Sequence, residues 1–271
     1  MESIELFLWG HDQGYKYRRF SKLRVSYYIV QSYRILAACI IFFWIIWDAY
    51  YGADSLRHFA FFTTWDLYLT FTAFVLNFMA TRTHHNDQTR VEGIEFIIWR
   101  CGVFIFETAL TFETMTFVFS IVAHTIKDFK LEGLNLATMY AIHFLPLPML
   151  LADFYMQKWL FRSHHIVPIF IILIVYFCIN LAATKYYSIP IYEIVLEWDP
   201  VWVSTLVWLF SLFVFYFIFK FYKNITEKHY STSNTTKKSN MHDNEFQFDR
   251  DGVEFEKLDE EIVVDPKEKH V

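Results

Sequence analysis

The chain is 271 residues long, 55% hydrophobic and 21% aromatic, with a formal net charge of −5. Together with a mean hydropathy of +0.25, this composition excludes an ordinary soluble domain, and its seven glycines leave no phosphate-cradling loop for a nucleotide. The net charge is also segregated. Basic residues cluster near the N-terminus and acids in the tail, a pattern that belongs to a membrane protein rather than to a nucleic-acid binder.

In chain order, residues 1–33 form a basic arm carrying Lys16, Arg18, Arg19, Lys22 and Arg24, with Arg34 continuing the run. Apolar stretches close to the ~20 residues needed to cross a bilayer then recur at 34–52, 59–80, 95–123, 134–156, 167–184 and 201–222. These six spans predict an all-α polytopic membrane bundle over 34–223, followed by an acidic, disordered tail over 224–271 whose Ser, Asn, Thr and charged residues bury little. Lysine and arginine favour the loops between spans 2 and 3 and between spans 4 and 5, which places both termini in the cytosol. Cys39, Cys101 and Cys178 fall inside spans and read as packing residues. His84–His85 and His164–His165 read as solvated loop pairs. The tail segment around Asp249–Asp251 lacks the carboxylates of a calcium loop, having Gln247 and Leu258 at its first and last positions. Neither a metal nor an organic cofactor is expected.

The chain ends Lys267-Glu268-Lys269-His270-Val271. Lysines third and fifth from the end resemble a dilysine retrieval signal, read by coat proteins on the cytosolic face of the endoplasmic reticulum. That address is the expected location, with the plasma membrane as the alternative.

Helical spacing gathers the polar residues of three spans onto single faces. Thr63, Asp66, Thr70 and Asn77 share a face of the second, Arg100, Glu107, Thr111 and Thr114 of the third, and Asn135, His143, Pro146 and Asp153 of the fourth. Such faces belong inside the bundle, where Thr and Asn act as interhelical glue and Arg100 finds Glu107 or an aspartate. His143 is the costliest of these residues in hydrocarbon. Thr63 and His143 both lie on the order of 10 Å inside the start of their spans, which begin on the same side. A histidine beside a threonine hydroxyl can take its proton and later protonate a leaving group. A carboxylate would fix the imidazole, with Asp66, Glu107 and the more distant Asp153 available. Acyl transfer on a lipid ester fits a site opening from the hydrocarbon. A relay of Asp66, Glu107 and His143 in a small-solute or proton transporter is a separate reading, and a non-enzymatic membrane protein is another.

Three stretches resemble the androgen-induced-gene family, which includes the androgen-dependent regulator of tissue factor pathway inhibitor, and more loosely the rolling-stone proteins. They are Phe61-Phe62-Thr63-Thr64-Trp65, His143-x-x-Pro146 followed by Asp153, and Ile191 to Trp198. The resemblance covers roughly residues 30–222. It implies six spans and hydrolysis of fatty acid esters of hydroxy fatty acids, with membrane lipids and a lipid ester as partners. It assigns Thr63 as nucleophile and His143 as base. Thr64 is a rival to Thr63, and Glu193 stands where the family has proline.

Overall fold

A computed structural model describes residues 24–51, 60–86, 94–126, 133–157, 161–188, 201–238, 247–248 and 254–255. Its helices are α1 (Tyr27–Tyr51), α2 (Phe62–Asn86), α3 (Ile94–Ile126), α4 (Gly133–His143), α5 (Pro146–Met156), α6 (Ile166–Tyr187) and α7 (Val201–Lys238), with a 3₁₀ turn at Ser163–His165. Residues 1–226 form one compact unit. In the second unit, residues 227–271, a two-residue antiparallel ladder pairs Gln247–Phe248 with Glu254–Phe255. Lys267, Lys269, Glu193 and the rest of the Ile191–Trp198 stretch lie outside the described residues.

The protein is an all-helical membrane protein. Among the described residues, five segments are long and apolar enough to cross a bilayer: Tyr27–Tyr50, Ile97–Val122, Ala137–Met156, Ser163–Tyr187 and Val201–Glu227. The remaining long helix, α2, has 25 residues but less hydropathy, because Thr63, Thr64, Asp66, Thr70, Thr72, Asn77 and Thr81 interrupt it. It packs between α1 and α3 and also touches α4 and α5, so Thr64, Asp66, Thr70, Asn77 and Thr81 face protein instead of lipid, while Thr72 bonds back to the Tyr68 carbonyl. The outer surface is apolar: Ile35, Leu36, Phe42, Phe43 and Ile46 of α1 and Leu206, Phe210, Phe213 and Phe217 of α7 are exposed. For such residues hydrocarbon is the solvent.

Three sequence expectations change. The first helix begins at Tyr27 instead of residue 34, because Tyr27-Tyr28-Ile29-Val30, following the basic residues Lys16–Arg24, extends the apolar pattern back past Arg34. Arg34 therefore belongs to the bundle and not to the arm, and it is fully buried. The span 134–156 is two helices, interrupted at Phe144 and Leu145. Pro146 and Pro148 cause the break, since neither has an N–H to donate to the preceding turn and each ring crowds it. The last helix passes residue 223 and runs to Lys238. At the other end of its loop, α6 closes on Ser188 in the left-handed conformation, φ 54°. The cysteines also sit differently from expectation: Cys39, Cys101 and Cys178 are exposed on helix surfaces.

Aromatic contacts fill the interior between α7 and its neighbours. Phe112 meets Phe215 edge-on at 6.3 Å, and Phe161 stacks on Tyr222 at 5.3 Å. Such pairs add ~0.5–1.5 kcal/mol each beyond simple burial. The α2–α3 seam is tighter. A Cβ added at Gly102 would lie 2.8 Å from Asn77 Oδ1. Gly102→Ala is therefore expected to cost about 1–3 kcal/mol, the usual penalty of overpacking. Asn77→Ala in the same chain should recover most of it. Thermal unfolding in detergent measures both, and an additive pair of losses would disprove the contact.

Candidate functional site

Among the described residues, three polar clusters that contain buried acids cross between helices. The first centres on Arg34 of α1. Its Nε donates to Asp153 Oδ1 at 2.7 Å and its Nη2 to Asp153 Oδ2 at 3.1 Å, a two-pronged contact with α5. Nη1 donates to the Asn77 carbonyl at 3.0 Å and to Thr81 Oγ1 at 2.6 Å, and Nη2 also reaches Gln157. Arg34 and Asp153 are both fully buried. Planar guanidinium donors match a carboxylate in two places at once, which lysine cannot do. One helical position away, Tyr33 donates to the Met149 carbonyl at 2.6 Å.

The second cluster lies where α5 passes to α6. His165 Nδ1 is 2.7 Å from Glu107 Oε2, and the Arg162 backbone N–H donates to Glu107 Oε1 at 3.3 Å. Phe104 packs edge-on against the imidazole at 5.4 Å, and the Arg162 guanidinium lies 5.8 Å over Trp99. His165, read from sequence as a solvated loop residue, is fully buried. The tight 3₁₀ turn aims its ring inward while His164 stays exposed. Neighbouring histidines in sequence thus have opposite environments.

The third cluster ties α2 to α3. Thr70 Oγ1 donates to Glu113 Oε1 at 3.0 Å, and Thr116 donates to Asp66. Other threonines turn back on their own helix: Thr111 donates to the Glu107 carbonyl at 2.7 Å, whereas Thr114 both donates to the Leu110 carbonyl and contacts Tyr222 of α7 at 2.7 Å. Thr70 and Thr114 are interhelical glue, as the spacing predicts; Thr111 is not.

The predicted pair lies apart from these clusters. Thr63 is half-buried in the first turn of α2, and among the described residues its hydroxyl makes no hydrogen bond, to His143 or to any other group. Thr64, its rival, is buried to 2% exposure. His143 is half-buried at the last position of α4, with its Nδ1 inside the protein. α2 and α4 are in contact, so the two residues sit on neighbouring helices. The three carboxylates proposed to orient His143 have other partners: Asp66 takes Thr116, Glu107 takes His165 and Asp153 takes Arg34. The Arg100–Glu107 pairing is likewise replaced by His165–Glu107.

Thr81, Gln157, Glu113 and Thr116 were passed over in the sequence, where Arg34 reads as part of the basic run and His165 as a solvated loop residue. Glu113 carried a readable signal, since an acid inside an apolar run invites a functional reading. The stripe through Arg100, Glu107, Thr111 and Thr114 drew attention to one face of α3, while Glu113 lies on another. His165 carried no local signal, because only the turn shows which of two adjacent imidazoles points inward.

No family model, curated protein or solved structure matches this chain.

Proposed function

We propose that this protein is an integral-membrane lipid-ester hydrolase with Thr63 as nucleophile and His143 as general base. One observation carries the reading: the helix break leaves a half-buried imidazole on α4, beside the helix that presents a half-buried threonine hydroxyl engaged by no other described group. A hydroxyl without another hydrogen bond is available to a base, and Thr63 is more open to substrate than the buried Thr64. The resemblance of these two segments to threonine hydrolases of fatty acid esters of hydroxy fatty acids supplies the substrate class.

The reaction on this reading has two stages. Thr63 Oγ1 attacks the ester carbonyl while His143 accepts the hydroxyl proton. Collapse of the tetrahedral adduct breaks the ester C–O bond, His143 returns the proton to the departing alkoxide, and the acyl group stays on Thr63. Water, deprotonated by the same imidazole, then releases the fatty acid and restores the threonine hydroxyl. The reading includes an endoplasmic reticulum membrane location with both termini cytosolic, the orientation that the charge bias leads one to expect.

A fluorophosphonate probe for serine and threonine hydrolases tests the assignment. Thr63→Ala should abolish labelling, and His143→Ala should reduce its rate by on the order of 10²-fold or more, the usual share of general-base catalysis. Thr64→Ala should label like wild type. Equal labelling of all four proteins would remove the mechanism. A second reading, a non-enzymatic membrane protein, draws support from Asp66, Glu107 and Asp153, which all bond neighbouring helices and leave His143 without an orienting carboxylate among them.

A further inference from the structure

Among the described residues, the bundle buries four carboxylates, Asp66, Glu107, Glu113 and Asp153, each exposed by 1% or less. Among the described residues, the buried groups that can carry positive charge are Arg34 and His165. Each is already paired, Arg34 with Asp153 and His165 with Glu107. Asp66 and Glu113 are left over, and no basic side chain among the described residues forms an ion pair with either.

These two acids belong to one arrangement. Asp66 and Thr70 are one turn apart on α2, and Glu113 and Thr116 are one turn apart on α3. The bonds cross: Thr116 of α3 donates to Asp66, and Thr70 of α2 donates to Glu113. Each carboxylate therefore has one oxygen held by a hydroxyl from the opposite helix. Its other oxygen, Asp66 Oδ1 or Glu113 Oε2, is buried and has no hydrogen-bond partner. Two bare carboxylate oxygens in a medium of low dielectric require positive charge. Every donor atom in the set is oxygen, the ligand type of hard cations. Among the described residues, no group of three or more His, Cys, Asp or Glu is placed to hold a metal ion, so the ligands here are the two carboxylates and the two threonine hydroxyls alone.

We propose that Asp66, Thr70, Glu113 and Thr116 form an intramembrane site for a small hard cation, either a proton or an alkali or alkaline-earth ion. The site bridges α2 and α3, so occupancy clamps those two helices together. It is independent of the Thr63 and His143 assignment. The titratable groups on the surrounding helices have separate engagements: Tyr33 donates to the Met149 carbonyl, Tyr176 donates to the Ala60 carbonyl, and Tyr222 contacts Thr114. The other titratable groups packed nearby are Glu107 with His165, Asp153 with Arg34, and His143 of α4, and the carboxamide variants separate the site from them.

The test is the thermal midpoint of the full chain in detergent, read in two arms. One arm varies sodium, potassium and calcium at constant ionic strength; the other varies pH in a metal-free buffer. Wild type should shift by several degrees in at least one arm, and the arm that responds identifies the cation. Asp66→Asn with Glu113→Gln keeps the shape, removes both charges and should flatten the response. His143→Ala should retain it, which separates the site from the histidine. Glu113→Gln alone serves if the double variant does not fold, and should weaken the response. A wild-type midpoint flat in both arms overturns the proposal, as does a full response in either carboxamide variant.

Discussion

Replacing Arg34 by methionine is expected to destabilise the bundle by about 3–5 kcal/mol, the cost of leaving a buried charge without its partner. The guanidinium donates to Asp153 twice, and also to the Asn77 carbonyl, Thr81 and Gln157. Its removal strands the Asp153 carboxylate in a fully buried position and separates α1 from both α2 and α5. Arg34→Lys should recover little, because an ammonium cannot make the paired contact or reach three helices together. Arg34→Met combined with Asp153→Leu should recover much of the loss, since buried ion pairs replaced whole by apolar side chains are often neutral. Denaturant unfolding in mixed micelles would provide the double-mutant cycle. Simple additivity of the two single losses would show that Arg34 and Asp153 are not coupled as the distances imply.

His165→Leu is expected to cost about 3 kcal/mol for the same physical reason. The Glu107 carboxylate would keep only the Arg162 backbone N–H at 3.3 Å. Glu107→Gln with His165→Leu should melt well above His165→Leu alone, because no charge is then stranded. His164→Leu, one residue away and exposed, should change stability by no more than ~0.5 kcal/mol. Matching losses at 164 and 165 would contradict the environment assigned to each imidazole. Thermal unfolding followed by tryptophan emission reports these changes, since Trp99 lies beneath Arg162 in the same cluster.

The sequence made the helical class legible because apolar runs of about bilayer length are a strong, local signal. It made α2 legible for a less direct reason: its threonines, Asp66 and Asn77 recur on one face, and a polar face must be covered by protein. Pairing was not legible. Glu107 sits four residues from Thr111 and seven from Arg100 on a tidy stripe, yet its partner is His165, 58 residues away. Arg34 looked like part of a basic topology signal because its neighbours in sequence are basic. Its burial follows from a partner 119 positions distant, which no local pattern contains. The same limit applies to His143. Spacing put it on one stripe with Asp153, but Pro146 breaks the helix between them, and each residue is governed by its own half.

That break also changes what the inside of the bundle offers to a visitor. A proline has no N–H, so Pro146 leaves the Ile142 carbonyl, and Pro148 the Phe144 carbonyl, without the donor that a continuous helix would supply. Both carbonyls adjoin His143 in sequence. Carbonyls freed in this way at membrane depth are satisfied by neighbouring helices, hydroxyl side chains or ordered water, so the break gives up a self-sufficient stretch of backbone. An interruption that spoils a helix thereby leaves two carbonyl dipoles next to an imidazole, in a stretch of chain that would otherwise spend every one of them on itself.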